Sequence, residues 1–85
     1  MTYGYVYILR CKDDSLYTGW CVDVKKRLAL HNSGKGAKYT RSKRPCKLVY
    51  YEEISNKSEA LKREIAIKKL SKAKKEDLVR NFNLT

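Results

Sequence analysis

Residues 5–19 read Tyr5-Val6-Tyr7-Ile8-Leu9-Arg10-Cys11-Lys12-Asp13-Asp14-Ser15-Leu16-Tyr17-Thr18-Gly19, two β-type runs joined by one polar turn. Tyr3, Tyr5, Tyr7 and Leu9 alternate with Gly4, Val6, Ile8 and Arg10. A period of two in aromatic and β-branched residues predicts a strand buried on most of both faces. The return run is Leu16 to Cys21. Asp13-Asp14-Ser15 between them carries short polar side chains that bond their own backbone, so the pair is read as an antiparallel hairpin. That pairing brings Tyr7 and Tyr17 near one another. Gly19 permits a close backbone approach just before the first helix.

Outward from the hairpin, Asp23 is placed to cap a helix over about Val24 to Asn32. Val24, Leu28 and His31 recur at i, i+4 and i+7, with Arg27 beside them, so the apolar stripe carries an arginine and a histidine along its edge. The plainer reading is a snorkelling arginine and a half-buried helix-end histidine. Asn32-Ser33-Gly34-Lys35-Gly36 ends the helix. From Lys25 to Lys47 there are nine lysines and arginines and no acid. Lys25, Lys35, Lys38, Arg41, Lys43 and Arg44, interleaved with Tyr39, Thr40 and Ser42, offer phosphate-binding charge beside stacking and hydrogen-bonding groups. A solvated basic loop is the alternative.

Leu48 to Ile54 is a third strand candidate, and the order of elements suggests a small mixed α/β sheet. Ser58 is read as the N-cap of a helix over about Glu59 to Leu70, with Ala60, Leu61, Glu64, Ile65 and Ile67 on its apolar face. Glu64 lies inside that stripe. An ionised carboxylate there demands a partner, either a lysine or arginine or a metal ion. Ser71 caps a last helix, about Lys72 to Asn81, whose Ala73, Leu78 and Val79, with Phe82, pack back on the core; residues 82–85 are expected to fray.

Eighty-five residues, 42% of them hydrophobic, suit one domain over residues 1–85 with one modest core. The net charge of +11 favours a polyanionic partner. Residues 1–22 hold Arg10 and Lys12 against Asp13 and Asp14, so all of that charge resides in residues 23–85. Cys11, Cys21 and Cys46 are odd in number and lack Cys-x-x-Cys spacing, which argues against a disulfide framework or structural zinc. A reducing compartment fits best. The apolar run Tyr5 to Leu9 is cut off by Arg10 and Lys12, so neither a signal peptide nor a membrane span is expected, and the protein is read as cytoplasmic.

Tyr5-Val6-Tyr7, then Tyr17-Thr18-Gly19, Arg27, His31 and a helical Glu64 together resemble the GIY-YIG nuclease domain, in particular its small stand-alone members. Gly34-Lys35-Gly36-Ala37-Lys38-Tyr39-Thr40-Arg41, Arg44-Pro45, Leu48-Val49-Tyr50 and Ser58-Glu59-Ala60-Leu61-Lys62-Arg63-Glu64 look like segments of that subgroup. The resemblance implies an α+β fold, a three-stranded antiparallel sheet flanked by helices, and a nuclease using one divalent cation, Mg²⁺ or Mn²⁺. The motif tyrosines fall on Tyr7 and Tyr17, the helix arginine on Arg27 and the metal-binding glutamate on Glu64. His31 takes a position where many members carry tyrosine or histidine. Tyr5 replaces the first motif glycine and Thr18 the isoleucine. Trp20 stands where many relatives have lysine, so a cation there would come from Lys25, Lys38 or Arg41. Asn81 is the nearest counterpart of a late polar residue that some relatives use near the phosphate.

Phosphodiester hydrolysis makes these residue types sensible. In-line attack of water builds charge on the phosphate and the leaving oxygen, which calls for a base, a cation and a Lewis acid. Glu64 would hold the hard cation, Arg27 would offer its donor fork to the phosphate, and Tyr7 or Tyr17 would deprotonate or orient the water, with His31 sharing that work. A tyrosine base needs a cation or the metal to lower its pKa from ~10. A single acid in the pocket argues against a two-metal site. The implied partner is nucleic acid, DNA in preference to RNA, recognised by shape, with room for a protein that lends specificity. Two other readings remain: a non-catalytic nucleic-acid-binding module of the same fold, and a basic interaction protein, such as one attached to ribosomal RNA, whose tyrosines are only core.

Overall fold

The computed structural model describes Thr2–Phe82, and those residues form a three-stranded antiparallel sheet with four helices. In chain order the elements are β1 Gly4–Arg10, β2 Leu16–Cys21, α1 Val24–Asn32, α2 Lys38–Arg41, β3 Lys47–Ile54, α3 Lys57–Lys68 and α4 Lys72–Asn81. The strand order is β2-β1-β3, so the first strand is central and both neighbours are edges. No described helix is long and apolar enough to cross a membrane.

The alternation along β1 sorts its side chains into two cores. Val6 and Ile8 join Tyr50, Ile54, Ala60 and Ile67 beneath α3, while Tyr7 and Leu9 join Cys11, Cys21 and Cys46 beneath Val24 and Leu28 of α1. These four β1 side chains are at most 2% exposed. Burying each contributes about 1.5–3 kcal/mol, a sum comparable with the whole net stability of a domain this size, about 4–13 kcal/mol. The three cysteines are free and buried.

The hairpin closes as its turn chemistry dictates. Asp13 accepts from the Ser15 amide at 3.1 Å and from the Ser15 hydroxyl at 2.6 Å, and Asp14 takes a left-handed φ of 71°, which Asp tolerates better than most residues. Tyr7 pairs with Gly19 and Leu9 with Tyr17, so the two tyrosines share a face. A Cβ on Gly19 would lie 2.7 Å from the Tyr7 hydroxyl oxygen and 3.3 Å from the Tyr17 ring. Glycine is therefore what lets both rings lie where they do.

Several details depart from the sequence reading. Residues 38–41, read as part of a basic loop, form the short helix α2, and the segment around it is pinned by side chains. The Asn32 amide donates to the Cys46 carbonyl at 3.0 Å and accepts from its N–H at 2.7 Å, and Lys12 N–H donates to Lys43 carbonyl at 2.9 Å. The cap of α3 is Asn56, whose side chain accepts from Glu59 N–H at 2.9 Å; Ser58 lies already inside the first turn. On α3, Ala60 and Ile67 face the sheet, with Arg63 and Glu64 half-buried between them, whereas Leu61 and Ile65 are 40% and 53% exposed. Phe82, which the sequence placed both on the core and at the fraying end, packs edge-on against Tyr50 and Tyr51; residues 83–85 lie outside the described residues.

Two charged clamps set the helices on the sheet. Arg63 grips Glu52 of β3 through two bonds of 2.8 Å, and the Tyr50 hydroxyl donates to the same carboxylate. Arg10 forks onto Glu76 of α4 at 2.8 and 2.6 Å, and Lys72 adds a 2.8 Å bond. The first clamp fixes the rotation of α3 and so the direction of Glu64, the next residue.

Thr18 Oγ1 is buried without a hydrogen-bond partner among the described residues. A buried hydroxyl in that state costs about 1–3 kcal/mol. Thr18→Val is expected to raise the melting temperature by about 4–8 °C for each kcal/mol recovered, read by thermal denaturation; an unchanged or lower temperature would mean that the hydroxyl has a partner.

Candidate active site

β1, β2 and α1 bring Tyr7, Tyr17 and His31 into one cluster. The Tyr7 hydroxyl lies 3.0 Å from His31 Nε2, and His31 Nδ1 lies 2.8 Å from the Thr40 hydroxyl of α2. His31 is 2% exposed, so the half-buried reading gives way: the helix stripe drives the imidazole inward, where two polar groups receive it. The Tyr17 ring stands 5.2 Å from the imidazole and 6.4 Å from Tyr7, and its other neighbour is Tyr39, stacked at 5.8 Å and 26°. The cluster thus runs from the buried Tyr7 to the surface at Tyr39, which is 42% exposed.

Arg27 projects from α1 beside this cluster, on the flank that also holds a groove of about 380 Å³ lined with Cys21, Val22, Asp23, Lys26 and Leu30. Its charge is felt throughout. Tyr7 is pushed far above the ordinary tyrosine range, first by burial and then by Tyr17, with Arg27 opposing. Tyr17 is raised by burial and then by Glu64, again with Arg27 opposing. The protein's own cations therefore do not prepare a phenolate in advance; the sequence reading named them or the metal as the source of that lowering. Burial outweighs the arginine, and each tyrosine keeps its proton until something takes it. For Tyr7 the acceptor in place is His31.

Glu64 approaches from α3 across the β2 edge, with its side chain 19% exposed. Lys68, one turn on, pairs with it at 3.6 Å from a half-exposed position. Such a pair is weak and yields readily. Among the described residues no three His, Cys, Asp or Glu side chains gather into a closed cage. One carboxylate with open sides suits a hard divalent cation that keeps waters and takes a substrate phosphate as a further ligand.

The basic residues divide by position. Lys35, Lys38 and Arg41 are exposed around α2. Lys43 lies 4.0 Å over the Tyr39 ring and 3.2 Å from Asp13, and Arg44 donates to the Arg41 carbonyl at 2.9 Å. Lys25 sits on the opposite flank of α1 from Arg27, in a groove of about 400 Å³ with Tyr5, Tyr51 and Glu53 that contains none of the clustered tyrosines. Trp20 stacks on Tyr3 at 5.8 Å and packs on the core under α3. Two residues outside the expected catalytic set complete the site, Thr40, read above among the hydrogen-bonding groups of the basic segment, and Gly36. A Cβ on Gly36 would lie 2.8 Å from His31 Cα and nearer still to Nδ1. Their offsets of five and nine residues from His31 match neither the helix nor the strand period; the glycine pair at 34 and 36 was the only visible signal of their contact with His31.

Burial, and then Arg27, lower the His31 pKa from its ordinary ~6.5. The folded chain therefore resists a proton that the unfolded chain accepts. Stability from the neutral imidazole is complete above about pH 6.5 and is lost as the pH falls through the lower folded value. Glu52, held low by Arg63, and Glu76, held at about 2 by Arg10, matter only at more acid pH. Between pH 7.5 and 5 the wild-type melting temperature is expected to fall more steeply than that of His31→Gln; parallel slopes would contradict this.

The chain belongs to the GIY-YIG family of nuclease domains, whose catalytic-domain model matches residues 3–77. It is 57% identical over 81 residues to a UPF0213 protein of Syntrophus aciditrophicus (strain SB), covering 94% of this chain and 93% of that one. A UPF0213 protein of Natronomonas pharaonis is 53% identical over 88% of each chain. Two solution NMR structures share the fold. The UPF0213 protein BH0048 of Bacillus halodurans is 52% identical, with a TM-score of 0.59, over 91% of this chain and 82% of that one. The protein EF2693 of E. faecalis is 40% identical, with a TM-score of 0.63, over 100% and 94%.

Proposed function

We propose that this protein is a cytoplasmic, metal-dependent endonuclease that hydrolyses phosphodiester bonds in DNA and selects its substrate by structure, in a repair or recombination setting. The observation that carries the reading is the 3.0 Å contact between the Tyr7 hydroxyl and His31 Nε2, inside a cluster that also holds Tyr17 and Arg27. A buried phenol needs some partner, and a titratable imidazole, unlike a backbone carbonyl, is one that can take the proton away.

Water attacks phosphorus in line with the leaving oxygen, whose bond to phosphorus breaks as the new one forms and which takes its proton from solvent. Tyr7 Oη takes a proton from that water as its own proton passes to His31 Nε2, which leaves an imidazolium beside the newly charged phosphate. Burial holds the proton on Tyr7 at rest and off His31, so it passes to the imidazole only as the water's proton arrives. Arg27 places two parallel donors on the phosphate oxygens. Tyr17, half-buried between His31 and Tyr39, orients the phosphate or the water. Glu64 would hold the Mg²⁺ or Mn²⁺, which, when bound, supplies Lewis-acid stabilisation of charge on the phosphate and leaving oxygens. Lys35, Lys38, Arg41, Lys43, Arg44 and Lys25 add attraction to the nucleic-acid backbone, with Tyr39 as a stacking surface.

Labelled single-stranded, duplex, flap and branched DNAs, incubated with Mg²⁺, Mn²⁺ or EDTA, test this reading. Cleavage confined to the metal-containing reactions and concentrated on one structural class is expected. The exposed cations of α2 favour the second reading, a binding module without turnover, if the same DNAs are bound in a salt-sensitive way and never cut.

A further inference from the structure

Thr40 is wholly buried, although it lies between the exposed Tyr39 and Arg41 on a four-residue helix. Its Oγ1 has two partners, the Ala37 carbonyl at 3.0 Å and His31 Nδ1 at 2.8 Å. A threonine hydroxyl has one proton and two lone pairs. The Ala37 carbonyl can only accept, and it also receives the Thr40 and Arg41 amides at 3.1 and 3.2 Å; with the Thr40 hydroxyl donating to it at 3.0 Å, Oγ1 accepts from the imidazole. Nδ1 then carries the hydrogen, and Nε2 presents a lone pair to Tyr7.

We infer that Thr40 is a positioning residue that fixes the tautomer of His31, so that the imidazole receives the Tyr7 proton instead of donating to Tyr7. Gly36 completes the cradle, since a side chain there would displace the ring from Thr40. The chain of donors runs one way: Tyr7 O–H to His31 Nε2, His31 Nδ1–H to Thr40 Oγ1, Thr40 O–H to Ala37 carbonyl. When Nε2 takes the Tyr7 proton, Nδ1–H keeps its acceptor, so the imidazolium forms with both its hydrogens bonded and no group left unpaired. In the other tautomer Nε2–H would point at Tyr7, and the Tyr7 proton would have no acceptor among the described residues. The catalytic consequence rests on the nuclease reading; the tautomer does not.

His31 is the only histidine in the chain, so the nitrogen NMR signals of its ring can be assigned without ambiguity. In the wild-type protein above pH 7 the ring proton is expected on Nδ1 alone. Thr40→Ser, which keeps the hydroxyl, should preserve that tautomer and cut DNA within about threefold of the wild-type rate. Thr40→Val, which keeps the shape, should move the proton wholly or partly to Nε2 and lower kcat by about 10²-fold or more with little change in KM. A wild-type ring protonated on Nε2 overturns the inference whether or not the protein is a nuclease. So does a Thr40→Val protein with the wild-type tautomer and rate. A wild type that cuts nothing but carries its proton on Nδ1 would count against the nuclease reading and leave the tautomer assignment standing.

Discussion

Tyr7→Phe is expected to fold, to lose a few degrees of thermal stability, and to cut DNA about 10²–10⁴-fold more slowly than the wild type. The ring stays where it is, between Gly19 and the α1 core, because only the hydroxyl is removed. His31 Nε2 then loses its partner, at a cost of about 1 kcal/mol, which melting experiments would register. The catalytic loss should be far larger, because the proton has no path from the attacking water to the imidazole. Tyr17→Phe is the informative comparison. Its hydroxyl makes no bond to His31, so a loss smaller than that of Tyr7→Phe is expected in single-turnover rates. A Tyr17→Phe protein as impaired as the proposal expects of Tyr7→Phe, beside a normal Tyr7→Phe, would exchange the two roles.

Glu64→Ala should be the most damaging substitution for cleavage and one of the least damaging for the fold. Its resident partner, Lys68, is half-exposed at 3.6 Å, a pair worth less than about 1 kcal/mol. The orientation of α3 is kept by Arg63 and Glu52, which the substitution does not touch. Cleavage, however, loses the carboxylate that would hold the divalent cation, worth several kcal/mol of charge stabilisation in the transition state, or about 10²–10⁴-fold in rate. DNA binding should hold or tighten, since one negative charge leaves a surface that already attracts the phosphate backbone. Binding is measured by fluorescence anisotropy and cutting by gel. Loss of both together would point to a structural role for Glu64.

Much of this was legible because β1 and α1 obey simple periods. The alternation from Tyr3 to Arg10 placed Tyr7 and Leu9 on one face and Val6 and Ile8 on the other, and the turn residues Asp13 to Ser15 fixed the register that brings Tyr17 beside Tyr7. The stripe Val24, Leu28, His31 likewise put the imidazole against that face. On α3 the same kind of reasoning erred. Leu61 and Ile65 have the hydropathy of core residues, yet the seam facing the sheet runs through Ala60, Glu64 and Ile67, about one residue's rotation away. The expected face held Ala60, Glu64 and Ile67, which do form the seam, and extended too far, to Leu61 and Ile65. α2 is four residues long, too short to show a period, and its contact with His31 through Thr40 is tertiary. The fall in acidity of Tyr7 was invisible for a related reason: depth of burial depends on what packs above the ring, and the sequence reading weighed the neighbouring cations and the metal against an ordinary tyrosine.

The most direct test is the single-turnover cleavage of one branched or flap DNA by wild-type protein and Glu64→Ala, side by side, with Mg²⁺ and with EDTA. Products from the wild type with Mg²⁺, none with EDTA, and at least a hundredfold slower cutting by Glu64→Ala at equal DNA occupancy (~2.7 kcal/mol in the barrier) are the expected outcome. Equal cutting by the two proteins, or cutting that persists in EDTA, would contradict the assignment of Glu64 and with it the metal-dependent nuclease.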